Sequence, residues 1–303
     1  INHLFLFYYL AGMTISRLIN QTTTPSINLS EIKKIRISVP RFLEQQKIAS
    51  VLLTIDEAIQ KTQSIIEKAK MLRQGLMQRL LTRGIRHTLF NQTELGQIPE
   101  NWKVEELKTI SLNGTQNGLY KKPQDFGSGY KIVRMTELFR SDILRIGEME
   151  CVRVSESELE KYKLNEGDLL FARRSLKVEG AGKCVLIPAI DESVLFESSI
   201  IRVTLKQEIA YPRFYLYYFS SATGRRQMRR LIRTVAVSGI TGTDLQKIKL
   251  PVPPIKEQKE ISSILSVVDE RIMLENKHKG RLEELKKGLM QVLLTGKVRV
   301  KVD

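Results

Sequence analysis

The phrase "QGLMQRLLTRGIR" at Gln74–Arg86 returns almost unchanged as "KGLMQVLLTGKVR" at Lys287–Arg299, a shift of 213 residues (287 − 74). With that shift held constant, residues 39–86 and 252–299 align without a gap. "VPRFLEQQKIASVLLTIDEAI" lies over "VPPIKEQKEISSILSVVDERI", so that Val39/Val252, Pro40/Pro253, Glu44/Glu257, Gln45/Gln258 and Asp56/Asp269 coincide. A chain that carries one long segment twice must find a partner for the same face twice, and this limits its architecture more than any other feature.

Both copies read as helices. Ile48, Leu52, Ile55 and Ile59 step by four, three and four, as do Ile261, Leu265, Val268 and Ile272, which is the seam of a helix packed lengthwise on another. Pro40 and Pro253–Pro254 block continuation from upstream, and each copy ends in Leu-Leu-Thr with a glycine near, Gly84 or Gly296. About 38 helical residues would span roughly 57 Å. A lone helix with so narrow a seam is unstable in water, so the two copies are expected to pair with each other. The segment between them is long enough to return the chain for an antiparallel pairing. The plainer alternative is two ordinary core helices of a duplicated domain.

The repeat continues faintly upstream. "SEIKKIRISVP" resembles "TDLQKIKLPVP", and "FLFYYL" near the start resembles "FYLYYF" at Phe214–Phe219. The opening "INHLFLFYYLAG" is far short of the roughly 20 apolar residues a spanning helix needs, and no basic region precedes it. It reads instead as the tail of a second globular domain whose bulk is missing, and a chain opening on Ile1 reads as a fragment or as lacking its true start. The expected organisation is a remnant of a first domain over 1–38, a first helix over 39–92, a complete domain over 93–250 and a second helix over 251–303. The fold class is α+β: one complete mixed α/β domain plus two long repeated helices pairing as an antiparallel coiled coil.

In the complete domain "YKIVRM", "GDLLFARR", "GKCVLIPA" and "ESSIIRVTL" are short β-rich runs bounded by turn formers. Ser155 and Glu158 stand at capping-box spacing and open a short exposed helix. "PRFYLYYFSSATGRRQMRRLIR" reads as helix interrupted near Gly224.

The formal net charge is +16, and it is unevenly spread. Residues 201–250 hold ten Lys/Arg against two Asp/Glu, whereas 101–200 hold fifteen against sixteen. Patchy basicity points to a polyanion, although basic solvated surfaces are common. Arg225/Arg229 and Arg226/Arg230 are spaced by four with Arg233 three further on, which on a helix makes one broad cationic face suited to phosphate oxygens. A strand running into Arg173, Arg174, Ser175 and Lys177 would put basic and hydroxyl groups on a glycine-flexible loop fit for base edges. The small-residue run "AVSGITGTD" is either a close-approach loop, contributing Ser238, or a plain connector. Lys121, Lys122 and Arg134 complete the set of candidate DNA contacts. Each of these segments also has the ordinary reading of solvated surface.

Catalytic signatures fail. "GAGKC" has Lys177 where a phosphate loop needs glycine and Cys184 where it needs Ser or Thr. Asp/Asn-Pro-Pro-aromatic and glycine-rich S-adenosylmethionine motifs are missing, and the Glu106–Lys108 pair, at the E-x-K spacing of some nucleases, has no aspartate placed to join it. Three scattered histidines offer no metal-spaced pair, and two distant cysteines read as reduced thiols of a cytoplasmic protein.

"LPVPPIKEQKEISSILSVVDERI", "GLMQVLLTGKVR", "TELGQIPENWKVEELKTI" (Thr93–Ile110) and "GDLLFARR" together resemble the specificity subunits of type I restriction–modification systems, over essentially the whole chain. The resemblance implies target-recognition domains alternating with long helices. Each such domain would read half of a split site in double-stranded DNA, while the helices form an antiparallel spacer and dock methyltransferase (modification) subunits. It implies no catalysis and no cofactor on this chain: S-adenosylmethionine, Mg and ATP are expected only on the methyltransferase and restriction subunits. It implies no membrane partner. With one recognition domain where the family pattern has two, either the chain is truncated or it is a half-subunit that pairs with a second copy to restore two readers.

Overall fold

Proline sets where both long helices begin. The first runs Phe42–Arg83 over 42 residues and the second Ile255–Leu293 over 39, each just after the proline that blocks a helix upstream. Both close as expected, with Gly84 and Gly296 in the left-handed region at φ 62° and 71°. The computed structural model describes residues 1–13, 19–20, 26–27, 36–234 and 238–301. They fall into two compact units, Ile1–Met71 with Asp269–Asp303, and Leu72–Val268. The division lies inside the long helices rather than at their ends, because the end of the first helix and the start of the second pack within the second unit, and their opposite ends within the first. Among the described residues no helix is long and apolar enough to cross a membrane.

In the first unit an N-terminal helix, His3–Gly12, packs Phe5 and Tyr8 against Ile48, Ala49 and Leu52 of the first long helix and Leu293 and Leu294 of the second. The antiparallel sense is fixed by ion pairs at two levels: Glu44 with Arg299, and Asp56 with Lys286. The index climbs on one segment as it falls on the other. Ile48 and Leu52 are fully buried and Ile55 nearly so, while Ile59 and Ile272 are half-buried. The apolar opening segment is therefore a packed helix. After it in the chain, β1 (Ile19–Asn20) and β2 (Ser26–Ile27) form a short antiparallel pair.

In the second unit Ile261 and Leu265 are buried in a core shared with Met77, Leu80 and Leu81, while Val268 is half-buried. Each seam thus meets the far end of its twin, as antiparallel copies must. A hairpin of β3 (Phe90–Thr93) and β4 (Gly96–Pro99) precedes β5 (Lys103–Glu106), β6 (Ser111–Asn117), β7 (Phe126–Val133), β8 (Cys151–Val152), β9 (Leu169–Ala172) and β10 (Arg174–Ser175). Then come β11 (Cys184–Leu186), β12 (Val194–Phe196), β13 (Ile200–Leu205), β14 (Arg233–Thr234), β15 (Ser238–Gly239) and β16 (Lys249–Val252). The central sheet is antiparallel in the order β11-β9-β13-β6.

β9 shows why this sheet forms. All four of its residues are buried, Leu169 and Phe171 in one apolar cluster and Leu170 and Ala172 in another. Alternate side chains point to opposite faces, so a strand covered on both sides is apolar throughout. The Phe171 face lies under an aromatic helix, Pro212–Ser220, whose residues Phe214–Phe219 are all buried. That helix breaks at Ser221, not at Gly224. Ser221 caps the next helix, Ala222–Leu231, by accepting from the Gly224 N–H, and this takes the chain around the corner. The expected capping box is present, with Ser155 and Glu158 bonding reciprocally.

Candidate nucleic-acid interface

The antiparallel order of the central sheet brings three connections to one end. β9 leaves there towards Arg173, β6 leaves there towards Gly118–Lys122, and β13 enters there from Ser198–Ser199. These segments are tied together: the Arg173 N–H donates to Ser199 O, its guanidinium to Ser198 O, and the Ser198 N–H to Leu119 O. Beyond Arg173 the chain enters a three-stranded sheet in the order β10-β15-β14. Its register sets Arg174 beside Gly239 and Ser175 beside Ser238, and on the other side Arg233 beside Gly239 and Thr234 beside Ser238. Segments chosen from three separate stretches of sequence meet on this small sheet.

The helix Ala222–Leu231 divides its arginines between two faces. Arg226, Arg229 and Arg230 are exposed, and among the described residues none of them has a carboxylate partner; the same holds for Arg174 and Lys177. Arg225 belongs to the inner face and is not part of the single cationic face expected from its spacing. It donates to Glu179 O at 2.7 Å and Ala181 O at 3.1 Å, and burial, with neighbouring Arg229 second, pulls its pKa below the usual arginine value. Beside it Met228 is fully buried. Gly182, at φ 67°, has no room for a Cβ, which would strike the Met228 side chain. Gly180 is as constrained, since a Cβ there would strike Ser175 Oγ. These close approaches, with Lys177 N–H donating to Ser175 Oγ and Gly180 N–H to Lys177 O, fix the 173–183 loop on the helix.

The remaining candidates are placed differently. Lys121 pairs with Glu158 at 2.8 Å and Lys122 is exposed. Arg134 is engaged by Glu150 and by Glu197, and its guanidinium covers the Phe126 ring at 5.6 Å. Arg233 pairs with Asp244 at 2.9 Å yet keeps 73% of its side chain open. Ser238 is buried. "AVSGITGTD" supplies β15 and the start of a helix, Gly242–Gln246, so it is more than a connector; Val235–Val237 lie outside the described residues. Leu176, Phe139 and Lys183 also belong to this surface and were not singled out from sequence, where an isolated Leu176 between cations was the available signal. Among the described residues no cluster of His, Cys, Asp and Glu could hold a metal, and Glu106 pairs with Lys108 at 2.7 Å.

A family model described as the type I restriction modification DNA specificity domain matches residues 1–71 and 99–284. The chain belongs to this family. It is 30% identical over 288 residues to the type I restriction enzyme MjaVIII specificity subunit of Methanocaldococcus jannaschii, covering 92% of this chain and 66% of that one. It is 29% identical over 250 residues to the EcoKI specificity subunit of Escherichia coli K12, covering 77% and 52%. The specificity-family chain thus spans between half and two thirds of the length of these relatives. Among solved structures it resembles the HsdS subunit from Thermoanaerobacter tengcongensis (TM-score 0.55, 14% identity, 97% of this chain and 70% of that). It also resembles the type I restriction–modification S subunit from M. genitalium (TM-score 0.60, 16% identity, 97% and 73%). These likenesses bear on the fold: mixed α/β with long paired helices.

Proposed function

We propose that this chain is a non-catalytic DNA-recognition subunit of a cytoplasmic type I restriction–modification complex. The observation that carries the reading is that the 173–183 loop, with Arg174 and Ser175 on an edge strand, is tied to the inner face of the helix whose Arg226, Arg229 and Arg230 are exposed and, among the described residues, without a carboxylate partner. Exposed cations grouped on one helix favour a polyanion, and guanidinium forks match phosphate oxygens bidentately. Arg173, Arg174, Ser175 and Lys177 stand on the clamped loop, where Arg and Lys suit guanine edges and Ser suits any base. The long helices are the docking surface for methyltransferase subunits, which with the restriction subunit hold S-adenosylmethionine, Mg and ATP.

Selection of bound sequences from a randomised duplex library by the full chain tests this. Enrichment of a motif supports the reading; an inverted repeat at fixed spacing means two chains per site, a single motif one. Arg226, Arg229 and Arg230 changed together to Gln should weaken all sequences alike and flatten the salt dependence by about three phosphate contacts. Arg174→Gln should instead relax selection at one position, by roughly 1–3 kcal/mol. Unchanged affinity in both variants overturns the site map. Methyl transfer or cleavage by the isolated chain supplied with S-adenosylmethionine and Mg overturns the non-catalytic role.

A further inference from the structure

The fixed loop carries a feature that phosphate binding leaves unused. Leu176 is 92% exposed, at the tip between Arg174 and Lys177. One exposed leucine is unremarkable on any surface, but this one forms the rim of a hollow of about 730 Å³ that also has Met135, Phe139, Arg174, Lys177 and Lys183 in its wall. Phe139 itself is 42% exposed, with Lys183 Nζ over its ring at 5.6 Å. The surface is thus apolar at its centre, with Arg174 and Lys177 at its edge, one carboxylate, Glu179, in its wall, and Lys183 paired with Asp142 at 3.6 Å. Its backbone is held before any ligand arrives, through the Arg225 bonds to Glu179 O and Ala181 O and the Gly182 N–H donating to Ala172 O at 2.8 Å. Ordering costs on binding are correspondingly small.

An apolar group carried on a polyanion fits an exposed leucine flanked by Arg174 and Lys177. Among the groups that base pairs present in the major groove, the C5-methyl of thymine is the apolar one. Resting on the DNA-recognition reading above, we propose that Leu176 is a specificity-determining residue that reads a thymine methyl while Arg174 and Lys177 hold the strand that bears it. Burying one methyl-sized group against Leu176 corresponds to about fourfold in affinity.

The test uses the full chain and the duplex it selects. Each thymine of the site is replaced singly by uracil, which deletes only the methyl, and affinity is measured for the unaltered chain and for Leu176→Ala. The expected result is one thymine whose replacement weakens the unaltered chain about fourfold and leaves Leu176→Ala unaffected, with the variant itself weakened to a similar degree on the thymine duplex. Silent replacements throughout, or the same loss in both proteins, overturn the assignment while leaving recognition intact. Failure of the unaltered chain to select any sequence, even at low salt, overturns the recognition reading itself.

Discussion

Gln45 and Gln258 hold the same place in the two repeats, and each ties the start of its long helix to the helix lying beside it. Gln45 accepts from the Asn2 N–H at 2.8 Å and donates to Pro40 O at 2.7 Å. Gln258 accepts from the Tyr211 N–H at 2.7 Å and donates to Pro253 O and Ile209 O, each at 2.8 Å. The preceding glutamates diverge. Glu257 accepts from the Ile85 N–H, the His87 ring and the Trp102 indole, at 2.9, 2.7 and 3.0 Å. Glu44 accepts from the Nε–H and an Nη2–H of Arg299 and from the Val300 N–H. Lys286 and Arg73 also share a repeat position, and each places its cation over an aromatic helix, Lys286 over Tyr8 at 5.4 Å and Arg73 over Tyr217 at 5.9 Å. In the first unit Tyr8 also donates to Asp56, and burial, with Asp56 second, pushes its pKa up to about 12. One sequence repeat therefore supports two latches, one built around an indole and an imidazole, the other around a single arginine.

The largest break in this comparison should come from Gln258→Ala. Its side chain is fully buried and satisfies three backbone groups, so removal strands them and should cost about 3 kcal/mol. Gln45→Ala strands two half-buried groups and should cost about 1 kcal/mol. Trp102 is the chain's single tryptophan and lies in the second unit, so its fluorescence during urea unfolding reads the first variant. Amide exchange of residues 42–60 reads the second. Equal losses at both sites would mean that the repeat positions are energetically as well as geometrically alike. Trp102→Phe is a finer cut: it keeps a ring in the core but removes the indole N–H from Glu257, for an expected loss of about 1 kcal/mol with the same overall fold by circular dichroism.

The same comparison shows what the sequence made legible. Start, stop and seam of both helices were readable because proline, left-handed glycine and a four-three-four apolar spacing act locally. Strands β9, β11 and β13 of the central sheet were readable as short apolar β-rich runs, as was the Ser155 cap, whereas β6, "SLNGTQN", has no such run and takes its place through pairing with β13. The orientation of Arg225 was not. Its spacing to Arg229 groups it with the outer arginines, and only Glu179, Ala181 and Gly182, remote in sequence, decide that it turns inward. The corner at Ser221 was also hidden, because its cap satisfies the Gly224 N–H and shifts attention to the glycine. Two-residue strands such as β10, β14 and β15 have no period to detect, so the sheet that joins the candidate segments emerges only from the fold. Leu176 was missed because the periodic signals mark apolar residues that become buried, and this one stays open.

The smallest effect expected is the most diagnostic of the difference between the latches. The Arg299 guanidinium, first by hydrogen bonding, holds Glu44 below the usual glutamate range. A carboxylate whose folded pKa lies below its unfolded one contributes stability that is fully present above the unfolded value and lost as the pH falls through the folded one. Amide protection of residues 42–60 should therefore decline as the pH drops below about 5, beyond the decline seen in Arg299→Ala. Because the Arg299 side chain is 68% exposed, added salt should shrink that difference by screening the pair. Unfolding of the second unit, followed through Trp102, should show no change in pH slope on Arg299→Ala, since Glu257 takes its partners from Ile85, His87 and Trp102 instead. An unchanged slope in the first unit as well would leave the Glu44–Arg299 pair a geometric counterpart of the Glu257 latch with no energetic share in it.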